Sequence, residues 1–232
     1  MAQINTPKEV LALAQKSATG KMQLPAGKTL LLAFLAGAYI AMGGLFSLMA
    51  GFGVPGVAEA PGLQRLLSGL VFPLGLILVV FAGAELFTGN NAVLVPGALG
   101  RRYGWGKVLR NWGLVYAGNF IGAAFFAYFL VVLPGVLSSE LWREAACNVA
   151  QAKVSMPWLT VFLRGVGANW LVCLAVWLGL STDDAAGRMM GLFFPVMCFV
   201  VIGYEHCIAN MFFIPLGMML GAPVTAADMV AA

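Results

Sequence analysis

One pattern, Gly-x-Glu-x₄-Asn-x₆-Gly, occurs twice in this chain, each time inside a long apolar segment. The first copy begins at Gly83 and the second at Gly203, an offset of 120 residues. Apolar segments interrupted at matching positions by small and polar residues are typical of transporters and channels built from two inverted repeats. In such proteins the substrate site lies at the interruptions, near the middle of the bilayer. The pattern therefore predicts two broken membrane-spanning helices.

Composition places the chain in a membrane. Of its 232 residues, 61% are hydrophobic and 9% are charged, whereas a soluble domain has about 25% charged residues. Apolar runs of about 18 residues or more recur, and each is long enough to cross the hydrocarbon core of a bilayer. We expect an all-α polytopic membrane protein. The net charge of +4 does not indicate a nucleic-acid partner, because the basic residues cluster in loops on one side.

Five membrane spans are evident in the sequence. They cover about 29–52, 65–83, 108–133, 157–180 and 189–221. The second and the fifth lead into the two copies of the pattern, and the first break is expected over Glu85–Asn91. The connection 53–64 is expected to be a loop because it is rich in Pro and Gly. The connection 135–156 is expected to contain a short helix.

The offset of 120 residues divides the chain into a first repeat over about 28–134 and a second over about 157–232. The third span begins near residue 107, so its partner should begin near residue 227, shortly before the sequence ends. We therefore expect the sixth span to be missing and the second repeat to be incomplete. Either the sequence is truncated or a neighbouring subunit supplies the sixth surface.

Residues 1–27 are expected to form a cytoplasmic amphipathic segment. Thr6 is a possible N-cap and Pro7 would occupy the first helical position, as in many helix starts. The apolar stripe consists of Val10, Leu11, Leu13 and Ala14. This pattern favours a short helix on the membrane surface, with a frayed tail as the alternative.

The distribution of Lys and Arg predicts the orientation. With a cytoplasmic N-terminus, nine basic residues fall inside: Lys8, Lys16, Lys21, Lys28, Arg101, Arg102, Lys107, Arg110 and Arg188. Four fall outside: Arg65, Arg143, Lys153 and Arg164. We expect a multi-pass protein of the cell membrane with its N-terminus in the cytoplasm.

The chain offers poor material for an enzyme. It has one histidine and no clustered carboxylates, and its four cysteines form no Cys-x-x-Cys pair or metal-ligand spacing. We expect no catalytic residue, no metal site and no cofactor.

The polar residues at the two breaks are the candidates for function. A broken helix exposes N–H and C=O groups that are costly at membrane depth unless they line a cavity, and inward-pointing helix N-termini offer N–H donors to an anion. A neutral His206 can donate one more hydrogen bond, and Thr88 could orient its ring. Glu85 and Glu205 are expected to accept freed backbone N–H groups.

Each of these residues also has a structural interpretation. A single histidine in a span can simply join two helices by a hydrogen bond, although buried ionisable residues in membranes usually mark pathways. Phenylalanines in the spans are more often packing residues than gates. Arg164 is expected to pair with Glu140 or Glu144, or to extend to the interface.

At three motifs the chain resembles the formate/nitrite transporter family. These motifs are Ala84-Glu85-Leu86-Phe87-Thr88-Gly89-Asn90, Asn169-Trp170-Leu171-Val172-Cys173-Leu174-Ala175-Val176-Trp177 and Gly203-Tyr204-Glu205-His206-Cys207-Ile208-Ala209-Asn210-Met211. The resemblance extends over about residues 5–221. It implies an aquaporin-like fold, a homopentamer with one pore per protomer, and transport of a small monovalent anion such as formate, nitrite or hydrosulfide. Family members have six spans, and the sixth is not evident here.

The same resemblance implies roles for individual residues. His206 would be the central pore histidine, Thr88 its partner, and Asn169 a residue of the central chamber. Lys153 would attract anions at the pore mouth. The apolar constrictions would be formed by Phe72, Leu76, Phe87 and Phe199. Structural roles at the helix breaks are expected for Glu85, Asn90, Glu205 and Asn210.

The predicted function is a channel or transporter for formate or a similar anion, with proton coupling and passage as the neutral acid. Burial in an apolar pore should keep the resting imidazole of His206 uncharged, so it would act as a donor and relay. A nitrite or hydrosulfide pore is the first alternative. A non-conducting truncated family member is the second.

Overall fold

The regular structure is entirely helical in the part of the chain that the structure describes. The structure is a computed structural model, and it describes residues 4–54 and 56–231. Its α-helices are α1 (Pro7–Gln23), α2 (Ala26–Phe52), α3 (Pro61–Val71), α4 (Leu74–Phe81), α5 (Phe87–Leu99), α6 (Trp105–Phe125), α7 (Glu140–Val154), α8 (Trp158–Leu180), α9 (Ala185–Val201), α10 (Cys207–Leu220) and α11 (Ala226–Ala231). Residues 1–3 of the predicted N-terminal segment, Pro55 of the predicted loop and Ala232 lie outside the described residues. The all-α prediction is confirmed.

Within the residues that the structure describes, four helical stretches are long and apolar enough to cross a bilayer. They are α2, the run Pro61–Phe81 that joins α3 and α4, the run Trp105–Val132 and α8. The third of these continues α6 through a π-helical segment, Phe126–Val132. Helices α9 and α10 are apolar but have 17 and 14 residues, fewer than the roughly 20 that a complete crossing needs.

The helices around the two sequence patterns begin and end at matching positions. Helix α4 ends at Phe81 and α5 begins at Phe87, while α9 ends at Val201 and α10 begins at Cys207. Both pairs of boundaries are 120 residues apart, like the patterns themselves. Each interruption contains a glycine in the left-handed region, with φ of 72° at Gly83 and 81° at Gly203. Glycine adopts this conformation without the clash that a Cβ atom would introduce, so it ends the preceding helix.

The predicted position of the first break is wrong at its C-terminal end. In the structure the first break covers residues 82–86, so Thr88 and Asn90 belong to helix α5. At the second break Asn210 belongs to helix α10. Asparagine disfavours helices mainly when its side chain competes for nearby backbone groups. The Asn90 amide instead donates to the side chains of Glu85 and Asn111, which leaves the backbone free to stay helical.

Helix α1 packs onto the protein. The predicted N-cap is confirmed, because Thr6 Oγ1 accepts from the Glu9 N–H at 3.4 Å and the Thr6 N–H donates to the Glu9 carboxylate at 2.7 Å. The buried residues of α1 are Val10, Ala14 and Ala18. They fall partly on the predicted stripe, whereas Leu11 of that stripe is exposed. Residues of α5 and α6 join Ala14 and Ala18 in one apolar cluster, so α1 is a packed element of the fold.

Helix α2 crosses α6 at very short distance. A methyl group placed on Gly37 would clash with the backbone of Asn119, and one placed on Gly122 would clash with the backbone of Phe34. Small residues at such crossings let two helix backbones approach in a membrane. This close contact brings the side chain of Asn119 next to the first interruption.

Candidate functional site

His206 is the residue on which the candidate site is centred. It is the N-cap of α10, where its Nδ1 accepts a hydrogen bond from the Ala209 N–H at 3.1 Å. Its Nε2 lies 3.0 Å from Thr88 Oγ1. The ring stacks on Phe199, with 5.6 Å between centroids and 14° between planes. Two hydrogen bonds and one stacking contact therefore hold the imidazole in a single orientation.

These contacts assign the tautomer of the neutral ring. The Ala209 N–H can only donate, so Nδ1 must be the unprotonated nitrogen and Nε2 must carry the hydrogen. The Nε2–H group then donates to Thr88 Oγ1, and the hydroxyl hydrogen of Thr88 remains available for another acceptor. The site thus presents the Thr88 hydroxyl as a hydrogen-bond donor that suits an anion or the oxygen of a small acid.

Each interruption contains a buried glutamate paired with a lysine from a different helix. Glu205 lies 2.7 Å from Lys153 Nζ of α7, and Glu85 lies 2.6 Å from Lys21 Nζ of α1. The expectation that these carboxylates take up freed backbone N–H groups is wrong for the described residues, where their hydrogen-bond donors are side chains. A lysine ammonium balances the full carboxylate charge, which a backbone dipole does not, and a buried charge requires that compensation.

Asn119 of α6 is a structural residue that the sequence analysis missed. Its side chain is completely buried. Its Oδ1 accepts from the Phe87 N–H at 3.0 Å, and its Nδ2 donates to the carbonyls of Ala33 and Glu85 at 2.8 and 2.9 Å. It therefore pairs backbone groups that the first interruption exposes. An asparagine within an apolar span was the signal that could have identified it.

Three cavities surround the interruptions. The Lys153 cavity, of about 300 Å³, is lined by Lys153, Arg65, Arg164, Phe72, Phe199 and His206 among others. The Asn169 cavity, of about 570 Å³, is lined by Asn169, Thr88, Phe87, Asn210 and His206 among others. The Lys21 cavity, of about 140 Å³, is lined by Lys21, Leu76, Leu86 and Asn90. Among the described residues, His206 and Glu205 are the two that line both the Lys153 cavity and the Asn169 cavity.

The structure separates the four residues that were predicted to form constrictions. Phe72 and Phe199 meet edge to face, 5.7 Å apart, at the Lys153 cavity. Leu76 lies at the Lys21 cavity. Phe87 lines the Asn169 cavity and packs against two aromatic rings of α6, Trp112 and Tyr116.

Leu86 is a further lining residue that the sequence analysis did not select. It is 1% exposed and shares the Lys21 cavity with Leu76. Its extended backbone at the N-cap of α5 gives it a different direction from Phe87, the first residue of the helix.

The remaining predicted site residues are also located. The Asn169 Oδ1 accepts from the Asn91 amide at 3.3 Å, and this pair lines the Asn169 cavity. Asn210 is buried and its Oδ1 has no partner among the described residues. No group of three His, Cys, Asp or Glu side chains that could hold a metal ion occurs within residues 4–54 and 56–231.

The chain resembles a known family of proteins over most of its length. The sequence profile of the formate/nitrite transporter family matches residues 8–232. The chain belongs to the formate/nitrite transporter family. It is 45% identical over 215 residues to a probable formate transporter of Methanothermobacter thermautotrophicus, covering 87% of this chain and 78% of that protein. It is 35% identical over 217 residues to the formate channel FocA of Escherichia coli, covering 92% of this chain and 74% of that protein.

Solved structures of this family share the fold. A pentameric formate channel with formate bound has a TM-score of 0.77 at 34% identity, covering 89% of this chain and 80% of that chain. An ion channel of the same family has a TM-score of 0.83 at 27% identity, covering 97% and 88%. Membership of a transporter family with several apolar helices makes this chain a multi-pass membrane protein. It also confirms that the chain is not an enzyme.

Proposed function

We propose that this protein is a formate channel in which the solute crosses as the neutral acid past His206. The observation that carries the proposal is the position of the imidazole, buried between two cavities and hydrogen-bonded to Thr88. Relatives named as formate channels or transporters support formate as the substrate. We further propose that the chain forms a homopentamer with one pore per protomer, as the solved formate channel does.

The proposed pathway runs between the two lysine-containing cavities. It begins at the Lys153 cavity and passes the rings of Phe72 and Phe199. The imidazole, Thr88 and Asn169 then line a central chamber, and Leu76 with Leu86 forms the second apolar constriction before the Lys21 cavity. The support is that these residues line successive cavities at the two helix interruptions.

The matching interruptions support two inverted repeats with two broken spans. The first broken span consists of α3 and α4 followed by α5, and the second consists of α9 followed by α10. Their boundaries and their glycines repeat at the same offset, and each carries a buried Lys–Glu pair. We place the channel in the plasma membrane with its N-terminus in the cytoplasm. The Lys21 cavity would then open toward the cytoplasm and the Lys153 cavity toward the outside of the cell.

Magnitudes favour the neutral acid as the permeating species. An unpaired carboxylate in a low-dielectric constriction costs tens of kcal/mol by Born estimates. Protonating an acid of pKa about 3.5 at pH 7 costs about 5 kcal/mol, from roughly 1.36 kcal/mol per pH unit. The aromatic and aliphatic constrictions therefore present a much smaller barrier to formic acid than to formate.

The geometry of His206 favours water as the immediate source of the proton. A neutral imidazole that gives up its Nε2 hydrogen must gain a proton at Nδ1, and Nδ1 already accepts the Ala209 N–H. Direct donation would break this helix cap, whereas a proton supplied through water would not. In this mechanism the Nε2–H orients Thr88, and the Thr88 hydroxyl donates the hydrogen bond that holds the anion while water protonates it.

The test is uptake of labelled formate by proteoliposomes that contain the purified protein. Uptake should rise as external pH falls, because the fraction of formic acid rises. Uptake that stays constant or declines would contradict passage as the acid. Liposomes that stay impermeable to formate, although the protein is folded and oligomeric, would favour a non-conducting family member.

The choice among small anions is a second question for the same vesicles. Linings this apolar select mainly by size and acid strength, so nitrite and hydrosulfide are the competing substrates. Unlabelled nitrite or hydrosulfide that outcompetes formate at equal concentration would reassign the physiological anion. Weak competition by both would support formate.

A further inference from the structure

We propose that Arg164, assisted by Arg65, is the anion-capture site of the Lys153 cavity and that it prefers planar anions with two oxygens. This inference rests on the proposed function, since it names the residues that collect the permeating anion. It assigns to these two arginines the role that the sequence analysis gave to Lys153. The charged residues that line the cavity are Arg65, Lys153, Arg164 and Glu205.

Lys153 contributes little net charge to this cavity. Its Nζ lies 2.7 Å from Glu205 Oε2, and the side chains are 14% and 10% exposed. An ion pair this close behaves at a distance as a dipole, because the two charges cancel. The two arginines therefore supply the unbalanced positive charge that an incoming anion meets.

Arg164 has unused hydrogen-bonding capacity. It lies in the second turn of α8 and is half-buried. Its one hydrogen bond among the described residues goes from Nη1 to the thioether sulfur of Met156, at 3.0 Å, and a thioether is a weak acceptor. An arginine within a membrane-spanning helix is costly unless it faces a partner or a water-filled cavity, and here it faces the cavity.

The carboxylates that were expected to pair with Arg164 are elsewhere. Glu140 and Glu144 line a separate polar cavity beside Arg143. Neither Arg164 nor Arg65 forms a salt bridge within the described residues. The positive charge of Arg164 is therefore available to a solute anion.

Arg65 extends the site across to the second helix interruption. Its guanidinium lies against Gly203, where an added methyl group would be 3.5 Å from Arg65 Nη1. Gly203 is followed within three residues by Glu205 and His206. An anion held between the two arginines would thus be near the chain segment that carries His206.

The shape of the guanidinium predicts which anions are captured best. Its planar fork presents two parallel N–H groups that match two oxygens of one anion. Formate and nitrite have two such oxygens, whereas hydrosulfide and chloride offer a single atom. Capture at Arg164 should therefore favour formate and nitrite.

Chemical protection tests the site without requiring transport. Phenylglyoxal modifies arginine, and its rate at Arg164 can be measured by mass spectrometry on the purified full-length protein. Formate should slow modification of Arg164 several-fold relative to chloride at the same ionic strength. Arg143, which bonds to the Leu220 carbonyl outside the cavity, is the internal control. Equal protection by chloride and formate, or none by either, would overturn the capture site.

Flux measurements then test the preference. Arg164→Lys keeps the charge and loses the fork, so the KM for formate should rise about tenfold while the KM for hydrosulfide stays nearly unchanged. Arg164→Met removes the charge and should raise both KM values. Arg143→Met is the matched control and should change neither. Equal shifts for the two anions in Arg164→Lys would refute a fork-dependent site.

The outcomes separate this inference from the proposed function. If formate protects Arg164 in the wild-type protein but the protein conducts no formate, the channel proposal is refuted and the anion-capture site is supported. If the protein conducts formate but the Arg164 variants have unchanged KM values, the capture site is refuted and the channel proposal is supported. The elution volume in size-exclusion chromatography and the melting temperature show whether each variant assembles. If Arg164→Lys fails to assemble, Arg65→Lys provides the same comparison of the KM values for formate and hydrosulfide.

Discussion

Glu205 Oε2 accepts a hydrogen bond from Lys153 Nζ at 2.7 Å, and the next residue after this glutamate is His206. The ion pair therefore ties α7 to the segment that presents the imidazole. Because both partners are largely buried, removal of one leaves an uncompensated charge, which typically costs about 3–5 kcal/mol.

Lys153→Met should destabilise the protein strongly for this reason. We expect the melting temperature in detergent to fall by about 10 °C, since about 1 kcal/mol corresponds to roughly 2–4 °C in proteins of this size. The double variant Lys153→Met with Glu205→Gln should recover much of the loss, because no charge then remains buried. Lys16→Met, at an exposed position of α1, is the control. A single variant as stable as this control would contradict the structural role of the pair.

The helices themselves were predictable because their signals are local. The long apolar runs indicated the spans, and the predicted limits of the first and fourth spans lie within about three residues of α2 and α8. Thr6 and Pro7 indicated the start of α1 by their position before an amphipathic segment. The two interruptions were located by Gly83 and Gly203, since the need for positive φ is a property of the glycine itself.

The partners within the site were not predictable in the same way. Glu85 and Glu205 each bond to a lysine at least 52 residues away in the sequence, and nothing near either glutamate specifies which lysine that is. Arg164 was expected to pair with Glu140 or Glu144 or to extend to the interface, because the sequence alone does not show that it lines a cavity with His206. Leu86 lines the Lys21 cavity and Phe87 lines the Asn169 cavity, a difference that depends on the backbone direction at one N-cap.

Asn119→Ala should destabilise the first interruption. The variant would leave the Phe87 N–H and the Glu85 carbonyl without the partners they have in α6. Each buried group left unpaired costs about 1–3 kcal/mol, so we expect a total loss of roughly 2–5 kcal/mol in thermal or denaturant unfolding. Asn148→Ala, at an exposed position of α7, should change stability little. Similar stabilities of the two variants would show that Asn119 does not support the break.

The start of α1 should loosen in acid. Hydrogen bonds from the backbone and the hydroxyl of Thr6 lower the pKa of the Glu9 carboxyl below its usual 4.5. A lowered pKa means that the charged form stabilises the folded helix start, so this contribution is present above about pH 4.5 and is lost as pH falls through the folded value. Glu9→Gln mimics the protonated state. Amide exchange in the first turn should be slower in wild type than in Glu9→Gln at pH 7, and the difference should shrink as pH falls below about 4.5. A difference that does not shrink in acid would contradict this account.

His206→Asn should separate the structural role of the histidine from its role in transport. Asparagine is among the best N-cap residues, so its side chain can replace Nδ1 as the acceptor for the Ala209 N–H and keep α10 intact. The shorter asparagine side chain does not reach the position of Nε2, so Thr88 loses the N–H that orients it. We expect a folded channel whose formate flux is lower than that of wild type at each external pH. His206→Ala loses the cap as well and should be less stable by about 0.5–2 kcal/mol. Formate flux equal to that of wild type in His206→Asn would remove the imidazole from the transport mechanism.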